Sequence, residues 1–121
     1  MTKTILTVDD SRVMRDLLKA ALVEAGYNVV QAVDGEHGIE VARQCQPDGI
    51  ITDINMPKLD GFGFMEVVRN EAQFKTTPIL VLTTEFSKEK KARARDAGAT
   101  GWIVKPFDQE KLLAALRRVV R

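Results

Sequence analysis

The sequence has 121 residues, of which 45% are hydrophobic and 29% are charged. This length fits one ordinary domain and leaves little room for a second, and the composition excludes a disordered chain. Eighteen basic and seventeen acidic residues give a formal net charge of +1, which does not favour binding to nucleic acid or anionic lipid. The sequence shows no signal-peptide pattern or long apolar span, and its one cysteine cannot form an intramolecular disulfide. We therefore expect a single cytoplasmic domain over residues 1–121, with neither nucleic-acid binding nor membrane insertion.

Five short apolar runs alternate with longer segments of helical period, which is the pattern of repeated β–α units. The predicted strands cover residues 5–8, 29–33, 49–52, 79–82 and 102–104. The predicted helices run from Ser11 to near Gly26, over residues 36–45, 62–73 and 88–97, and onward from Asp108. Five strands that alternate with five helices are typical of an α/β fold with a doubly wound parallel sheet.

The first and last helices carry the clearest apolar faces and capping signals. Ser11 and Asp108 precede them, and both side chains can accept hydrogen bonds from the free backbone N–H groups of a helix start. Apolar residues recur at helical spacing in the first helix at Val13, Met14, Leu17, Leu18, Ala21 and Leu22. The corresponding residues of the last helix are Leu112, Leu113, Leu116, Val119 and Val120. We expect both faces to pack on the sheet.

Polar side chains directly follow four of the five predicted strands. Asp9 and Asp10 follow the first strand, Asp53 the third, Thr83 the fourth and Lys105 the fifth. The carboxyl ends of parallel strands meet at one edge of the sheet, where open α/β sheets bind ligands, so we expect these groups to converge. One aspartate at a strand end is usually a turn residue or a helix cap. Five such groups at the ends of four separate strands indicate a functional site.

The chemistry of this group favours a metal ion and a phosphoryl group. Three carboxylates at close range repel one another, so an ionised cluster needs a cation, and Mg²⁺ takes hard oxygen ligands and shares them with phosphate. Phosphoryl transfer also needs an in-line nucleophile, a metal ion on the phosphoryl oxygens and further donors that spread the developing negative charge. A carboxylate can act as that nucleophile and become an aspartyl phosphate. Asp53 is the candidate because it stands alone after a central strand, whereas Asp9 and Asp10 look like a metal-binding pair.

These residues resemble, in order and placement over the whole chain, the receiver domain of two-component response regulators. The motifs that carry the resemblance are Asp9-Asp10, Asp53-Ile-Asn-Met-Pro57, Asp60-Gly61, Thr83 and Lys105-Pro106. The resemblance implies a flavodoxin-like doubly wound sheet of five parallel strands in the order 2-1-3-4-5, with five helices. It also implies a phosphoacceptor switch with intrinsic autophosphorylation and autodephosphorylation chemistry, and not an enzyme.

The same resemblance implies the residues that bind the metal ion and the phosphoryl group. Asp53 would accept the phosphoryl group and supply one carboxylate oxygen to Mg²⁺. Asp10 would ligate the ion directly and Asp9 mostly through a water molecule. The backbone carbonyl of Asn55 would complete the set of protein ligands.

Four further residues are implied to act in catalysis and switching. Lys105 would pair with the phosphoryl group, across a cis peptide bond to Pro106, and Thr83 would hydrogen-bond to the phosphoryl group. Trp102 occupies the position of an aromatic residue that turns inward after phosphorylation, although most members of the family carry Tyr or Phe there. Because an indole side chain is bulkier, the sequence leaves open whether Trp102 turns inward after phosphorylation.

Residues around the phosphorylation site also bear on how long a phosphoryl group would last. Asn55 and Glu85 resemble the pair found beside the site in chemotaxis members and imply quick loss of the phosphoryl group. Thr84 stands where most members have a smaller residue and would narrow access to it. These two features act in opposite directions, so the sequence leaves the lifetime open.

The resemblance to stand-alone, CheY-like chemotaxis receivers implies output by protein contact. The expected phosphodonor is a CheA-like histidine kinase, and the expected effector is a protein such as a flagellar motor component. The face of the fourth helix, last strand and last helix would bind it. The fourth helix is basic, which fits either a solvated face or a docking surface for an acidic segment. Its basic residues are Lys88, Lys90, Lys91, Arg93 and Arg95.

Two alternatives stay open at this level, and a third is disfavoured. The chain could be a phosphate sink that drains a shared kinase and has no effector of its own. It could also be a small Mg²⁺-dependent phosphatase that uses Asp53 as nucleophile, but haloacid-dehalogenase-type enzymes carry a second aspartate where this chain has Asn55. Flavin binding is disfavoured because an acidic first loop would repel the cofactor phosphate.

Overall fold

The computed structural model describes residues 2–121 and contains one parallel sheet of five strands in the order β2-β1-β3-β4-β5. This order confirms the flavodoxin-like topology that the sequence implied. The strands are β1 (Thr4–Val8), β2 (Asn28–Ala32), β3 (Gly49–Thr52), β4 (Ile79–Thr83) and β5 (Gly101–Val104). The helices are α1 (Arg12–Glu24), α2 (Gly35–Cys45), α3 (Gly61–Arg69), α4 (Lys88–Ala97) and α5 (Gln109–Val119), with a 3₁₀ turn at Ala72–Phe74.

The sheet divides the core into two layers because successive side chains of a strand point to opposite faces. On one face, Leu6 of β1 and Ile50 of β3 pack with α2, α3 and α4. On the other face, Ile5 and Ile51 pack with α1 and α5. Every residue of β3 and β4 is buried, as expected for central parallel strands that helices cover on both sides.

The strand register places the loops that carry the candidate site residues side by side. Val8 of β1 pairs with Thr52 of β3, so the residues that follow them emerge next to each other. The backbone N–H of Asp53 continues this ladder by donating to the carbonyl of Val8 at 2.9 Å. Thr83 likewise pairs with Val104 across β4 and β5, just before Lys105. The carboxyl edge of the sheet therefore carries the polar residues that follow the strands, namely Asp9, Asp10, Asp53, Thr83 and Lys105.

Side-chain caps define where the helices begin. The predicted caps are confirmed, since the Ser11 side chain accepts from the Met14 N–H, and the Asp108 side chain accepts from the N–H groups of Glu110 and Lys111. Helices α2, α3 and α4 begin in the same way, with caps at Asp34, Asp60 and Ser87. A helix of residues 88–97 is confirmed, and it ends where Gly98 adopts a left-handed conformation with a φ of 111°.

Helix α3 ends earlier than its sequence predicted. A helix as far as residue 73 was expected, but α3 stops at Arg69 and the chain turns through an extended residue at Glu71. The turn brings Phe74 into the core, where it is 1% exposed. The Arg69 guanidinium group holds the turn by donating to the carbonyls of Phe74 and Gly98. Burial of an aromatic ring therefore outweighs the local helical pattern.

The apolar face predicted for α1 is only partly a core face. Leu18, Ala21 and Leu22 are buried, as expected. Val13 and Leu17, however, are 70% and 53% exposed. They lie four residues apart and so share one side of the helix, which is turned toward solvent. No helix within residues 2–121 is long and apolar enough to cross a membrane.

Candidate functional site

Three carboxylates meet at the carboxyl edge of the sheet. One ligand oxygen from each of Asp9, Asp10 and Asp53 lies within 4.8 Å of the others. Asp9 and Asp53 are buried, and Asp10 is exposed at the mouth of the cluster. The ligands of an octahedral Mg²⁺ are about 3 to 4 Å apart, so only small side-chain movements would bring all three onto one ion. The expected acidic pocket is therefore present.

Lys105 reaches this cluster from the edge strand β5. Its Nζ lies 2.7 Å from Oδ2 of Asp53 and 3.0 Å from Oδ2 of Asp9. The peptide bond between Lys105 and Pro106 is cis, as the resemblance implied. Lys105 thus crosses β4 to neutralise one of the carboxylate charges, and the four side chains together keep a formal charge of −2.

Backbone groups fix the orientation of the two buried carboxylates. The N–H of Ile54 donates to Oδ1 of Asp53 at 2.6 Å, and the N–H of Ser11 donates to Oδ1 of Asp9 at 2.9 Å. The guanidinium of Arg15 adds a bond of 2.7 Å to the carbonyl oxygen of Asp9. Sequence reasoning missed Arg15, since nothing in its spacing shows that it would turn back from α1 onto the first loop. These bonds leave Oδ2 of both aspartates directed at Lys105.

Burial and charge act against each other in this site. Burial raises the pKa of Asp9 above its usual value, although the Ser11 N–H and Lys105 lower it. Burial lowers the pKa of Lys105, but its hydrogen bonds to Asp53 and Asp9 outweigh this effect, so the net direction is upward. A pocket of carboxylate oxygens with residual negative charge fits a hard divalent cation such as Mg²⁺.

Comparison with known proteins identifies the family. A model described as the response regulator receiver domain matches residues 5–117. The chain belongs to this family of receiver domains.

The solved structures and curated relatives that this receiver domain is similar to differ in how much of their own length it covers. The chemotaxis protein CheY4 of Vibrio cholerae is 47% identical, with a TM-score of 0.94 over 98% of this chain and 99% of that one. Protein PilG of Pseudomonas aeruginosa is 32% identical over 93% of this chain and 84% of its own length. RpaA of Synechocystis, a DNA-binding dual master transcriptional regulator, is 40% identical over 97% of this chain but only 48% of its own length. The receiver domain thus spans about half of such relatives.

Two of the residues predicted to switch, Thr83 and Trp102, lie in different environments. Thr83 is fully buried at the end of β4, and its hydroxyl accepts a 3.3 Å hydrogen bond from the Glu85 N–H. Trp102 is half-buried on the edge strand and packs against the core layer of α3 and α4. Its indole Nε1 is buried without a hydrogen-bond partner among residues 2–121. Thr83 therefore lies at the same sheet edge as the carboxylates, while Trp102 lies along the neighbouring strand.

Asn55 and Glu85 form a direct contact beside the acidic pocket. Nδ2 of Asn55 donates to Oε1 of Glu85 at 3.1 Å, and Nζ of Lys90 lies 3.0 Å from the same oxygen. Sequence reasoning paired Asn55 with Glu85 but did not include Lys90. Its position on α4 gave no signal, because the contact depends on how the β4–α4 loop folds back.

Helix α4 is the least firmly packed helix of the receiver domain. Ala94 is its only buried residue, and the exposed basic side chains lie around it. A groove of about 410 Å³ runs between α4 and β5, and its walls include Lys88, Lys91, Arg95 and Trp102. Arg93 stacks over the Phe62 ring at 4.1 Å and connects α4 to α3. The helix therefore combines a basic surface with few buried contacts.

Proposed function

We propose that this receiver domain is a phosphorylation-activated signalling switch in which Asp53 accepts a phosphoryl group from a histidine kinase. The observation that carries the proposal is the position of the Asp53 carboxylate. It is held by the Ile54 N–H, lies 2.7 Å from the Lys105 ammonium, and shares the acidic pocket with Asp9 and Asp10. The proposed nucleophile, a positively charged side chain and the proposed metal-binding pair thus lie at one edge of the sheet.

The reaction proposed at this site is a simple displacement at phosphorus. A carboxylate oxygen of Asp53 forms the new P–O bond, and the P–N bond of the phosphohistidine breaks. The departing imidazole takes up a proton from solvent. Lys105, already within hydrogen-bond distance of Asp53, stabilises the negative charge on the transferred phosphoryl oxygens. Thr83 presents a hydroxyl from the adjacent strand end for the same group.

The metal site follows from the same residues. Asp10 and Asp53 would hold Mg²⁺ directly, Asp9 would act mainly through a water molecule, and the Asn55 carbonyl would complete the set. The ion would act as a Lewis acid and would neutralise negative charge on the phosphoryl oxygens.

Phosphorylation is proposed to reach a protein effector through α4, β5 and α5. A phosphoryl group adds charge and acceptor oxygens that can draw the Thr83 hydroxyl and its loop inward. The loop leads directly into α4, whose few buried contacts allow it to respond. Trp102, which lines the groove between α4 and β5, is the candidate aromatic switch. Pro106, which follows Lys105 across a cis peptide bond, is the third residue proposed to take part in switching.

A role in chemotaxis is the narrower form of the proposal. Its support is the likeness to CheY4, which extends over 98% of this chain and 99% of that protein. The domain would then act in the cytoplasm and receive its phosphoryl group from a CheA-like histidine kinase. It would bind a flagellar motor component through the α4–β5–α5 face. A receiver that only drains phosphate from a shared kinase would bind no such effector.

The proposal is tested by phosphorylation with acetyl phosphate and Mg²⁺, followed by mass spectrometry of the intact and digested protein. We expect one added phosphoryl group on Asp53, and none in the Asp53→Asn variant that keeps Asp9 and Asp10. Modification of the variant, or of another residue in the native chain, would contradict the assignment. Steady release of phosphate from many small phosphoesters would instead favour a phosphatase.

The narrower proposal needs a binding measurement. Calorimetry with a purified flagellar switch protein should show tighter binding to the domain activated by beryllofluoride and Mg²⁺ than to the resting domain. Equal affinity for both forms, or no binding to either, would contradict a motor-binding role. A receiver that accelerates loss of phosphate from a CheA-like kinase while binding no switch protein would be a phosphate sink.

A further inference from the structure

A series of three polar side chains connects helix α4 with the phosphorylation site. Lys90 lies in the first half of α4, and its ammonium contacts Oε1 of Glu85 at 3.0 Å. The same oxygen accepts the hydrogen bond from the Asn55 amide at 3.1 Å. Asn55 follows Asp53 by two residues, so the series ends in the loop that carries the phosphoacceptor.

We propose that Lys90 is a positioning residue for phosphorylation, which holds the Glu85 carboxylate against Asn55 and neutralises its charge beside the acidic pocket. The inference rests on the proposed function of Asp53. Lys90 does not touch the reacting atoms and acts only through Glu85. None of the basic residues on α4 stands out by sequence, and Lys90 differs from Lys88 and Lys91 by its contact with Glu85.

Electrostatics gives the direction of the effect. With Mg²⁺ bound, the three carboxylates, Lys105 and the ion would together have no net formal charge, so charges beside the pocket affect how readily it receives an anionic phosphodonor. Without Lys90, the Glu85 carboxylate would add an unpaired charge at the edge of the pocket and would repel the donor.

Geometry sets the size of the effect. The side chains of Lys90 and Glu85 are 43% and 28% exposed, so water and salt screen the pair in part. Exposed pairs of this kind couple weakly. The opposite end of α4 is held separately, by the Arg69 guanidinium on the Gly98 carbonyl. Loss of Lys90 should therefore release Glu85 while the domain stays folded.

The first test measures the initial rate of phosphorylation by acetyl phosphate at saturating Mg²⁺ and low ionic strength. Lys90→Ala and Lys90→Gln should slow the reaction about two- to fivefold. Lys90→Arg, which keeps the charge, should retain at least half of the native rate. Lys75→Ala removes an equal charge from an exposed position before the opposite end of β4 and should leave the rate unchanged. A native rate in both Lys90→Ala and Lys90→Gln would overturn the proposal.

The second test asks whether the effect passes through Glu85. In a Glu85→Gln background, Lys90→Ala should produce no further slowing, because no carboxylate remains to be neutralised. Equal slowing in both backgrounds would show a general charge effect and would also overturn the proposal. Failure of the proposed function looks different, because the native chain itself would then carry no phosphoryl group on Asp53.

Discussion

The backbone of Gly61 lies directly against the carbonyl of Asp53. A Cβ atom added at Gly61 would overlap that carbonyl oxygen and would come within 2.9 Å of the Ile54 Cα. The Gly61 N–H also donates to the Ile54 carbonyl at 2.8 Å. The start of α3 is therefore packed on the segment that carries the phosphoacceptor, and only a residue without a side chain fits there.

Gly61→Ala is expected to destabilise the domain by roughly 2 to 4 kcal/mol and to slow phosphorylation of Asp53. The neighbouring atoms are backbone, so relief of the clash must move the Asp53 loop itself. Urea unfolding and acetyl phosphate kinetics measure the two effects. Gly63→Ala is the matched control in the same helix, because its new Cβ would clash with the Leu59 side chain, whose end can move, and would meet the Asp60 carboxylate at an ordinary contact distance. Similar losses in both variants would contradict this explanation.

The buried carboxylate of Asp9 is expected to cost stability in the absence of metal. Its pKa is raised by burial, so the folded protein holds the proton of Asp9 more tightly than the unfolded chain does. This cost is absent below the pKa that Asp9 has in the unfolded chain. It grows as the pH rises through the pKa that Asp9 has in the folded protein, and it is complete above that pKa. Asp9→Asn should therefore stabilise the metal-free domain at pH 7, by on the order of 1 kcal/mol, and much less near pH 4.

Urea unfolding of the native chain and of Asp9→Asn, with a metal chelator present, measures this effect at pH 7 and near pH 4. Lys105→Met provides a control of opposite sign, because the net pKa of Lys105 is raised and its charge stabilises the folded state below its unfolded pKa. Added Mg²⁺ should stabilise the native chain and reduce the advantage of Asp9→Asn, since binding to the folded state adds stability. A native chain that is more stable than Asp9→Asn in chelator at pH 7 would contradict the prediction.

The sequence predicted the helices and strands well, and also the polar residues that directly follow the strands, because both depend on short-range patterns. Strand β3 and helix α4 match their predicted bounds, and the latter has a clear start at Ser87 and a stop at Gly98. Asp9 and Asp53 were expected to meet because parallel strands end at one edge, and they do. Convergence at the acidic pocket therefore followed from topology alone.

The features that were missed depend on contacts between distant segments. Helix α3 ends early because Phe74 finds a place in the core and Arg69 can reach Gly98, which is 29 residues away. The exposure of Leu17 depends on which side of α1 the sheet covers, and apolar spacing alone does not decide this. Lys90 meets Glu85 only because of the path of the intervening loop.

The Arg69 guanidinium is expected to be one of the larger stabilising contacts outside the core. It is half-buried and donates to the carbonyls of Phe74 and Gly98, which tie the 3₁₀ turn and the end of α4 to α3. Arg69→Met would leave those carbonyls without their donor and should cost about 1 to 3 kcal/mol in urea unfolding. Arg43→Met is the control, because Arg43 pairs with Glu71 at an exposed position and should cost less than about 1 kcal/mol. Equal losses would contradict the assigned role of Arg69.

The fluorescence of Trp102 is expected to report activation of the switch. Trp102 is the only tryptophan, its Nε1 is buried without a partner among the described residues, and the residue lines the groove between α4 and β5. A beryllofluoride group on Asp53 that draws Thr83 inward would move the loop leading into α4 and change the surroundings of the indole. We expect the emission to change when beryllofluoride is added to protein already saturated with Mg²⁺.

Two variants separate this change from a direct effect of the added ions. Asp53→Asn should give no response, because it lacks the carboxylate that binds the beryllium. Thr83→Ala should still bind beryllofluoride, as judged by the fluorine spectrum, but should give a reduced change in emission, since the link between Asp53 and the α4 loop is missing. A full response in Thr83→Ala would show that the indole senses the site by another route. A silent native protein that nevertheless binds beryllofluoride would show that Trp102 does not move on activation.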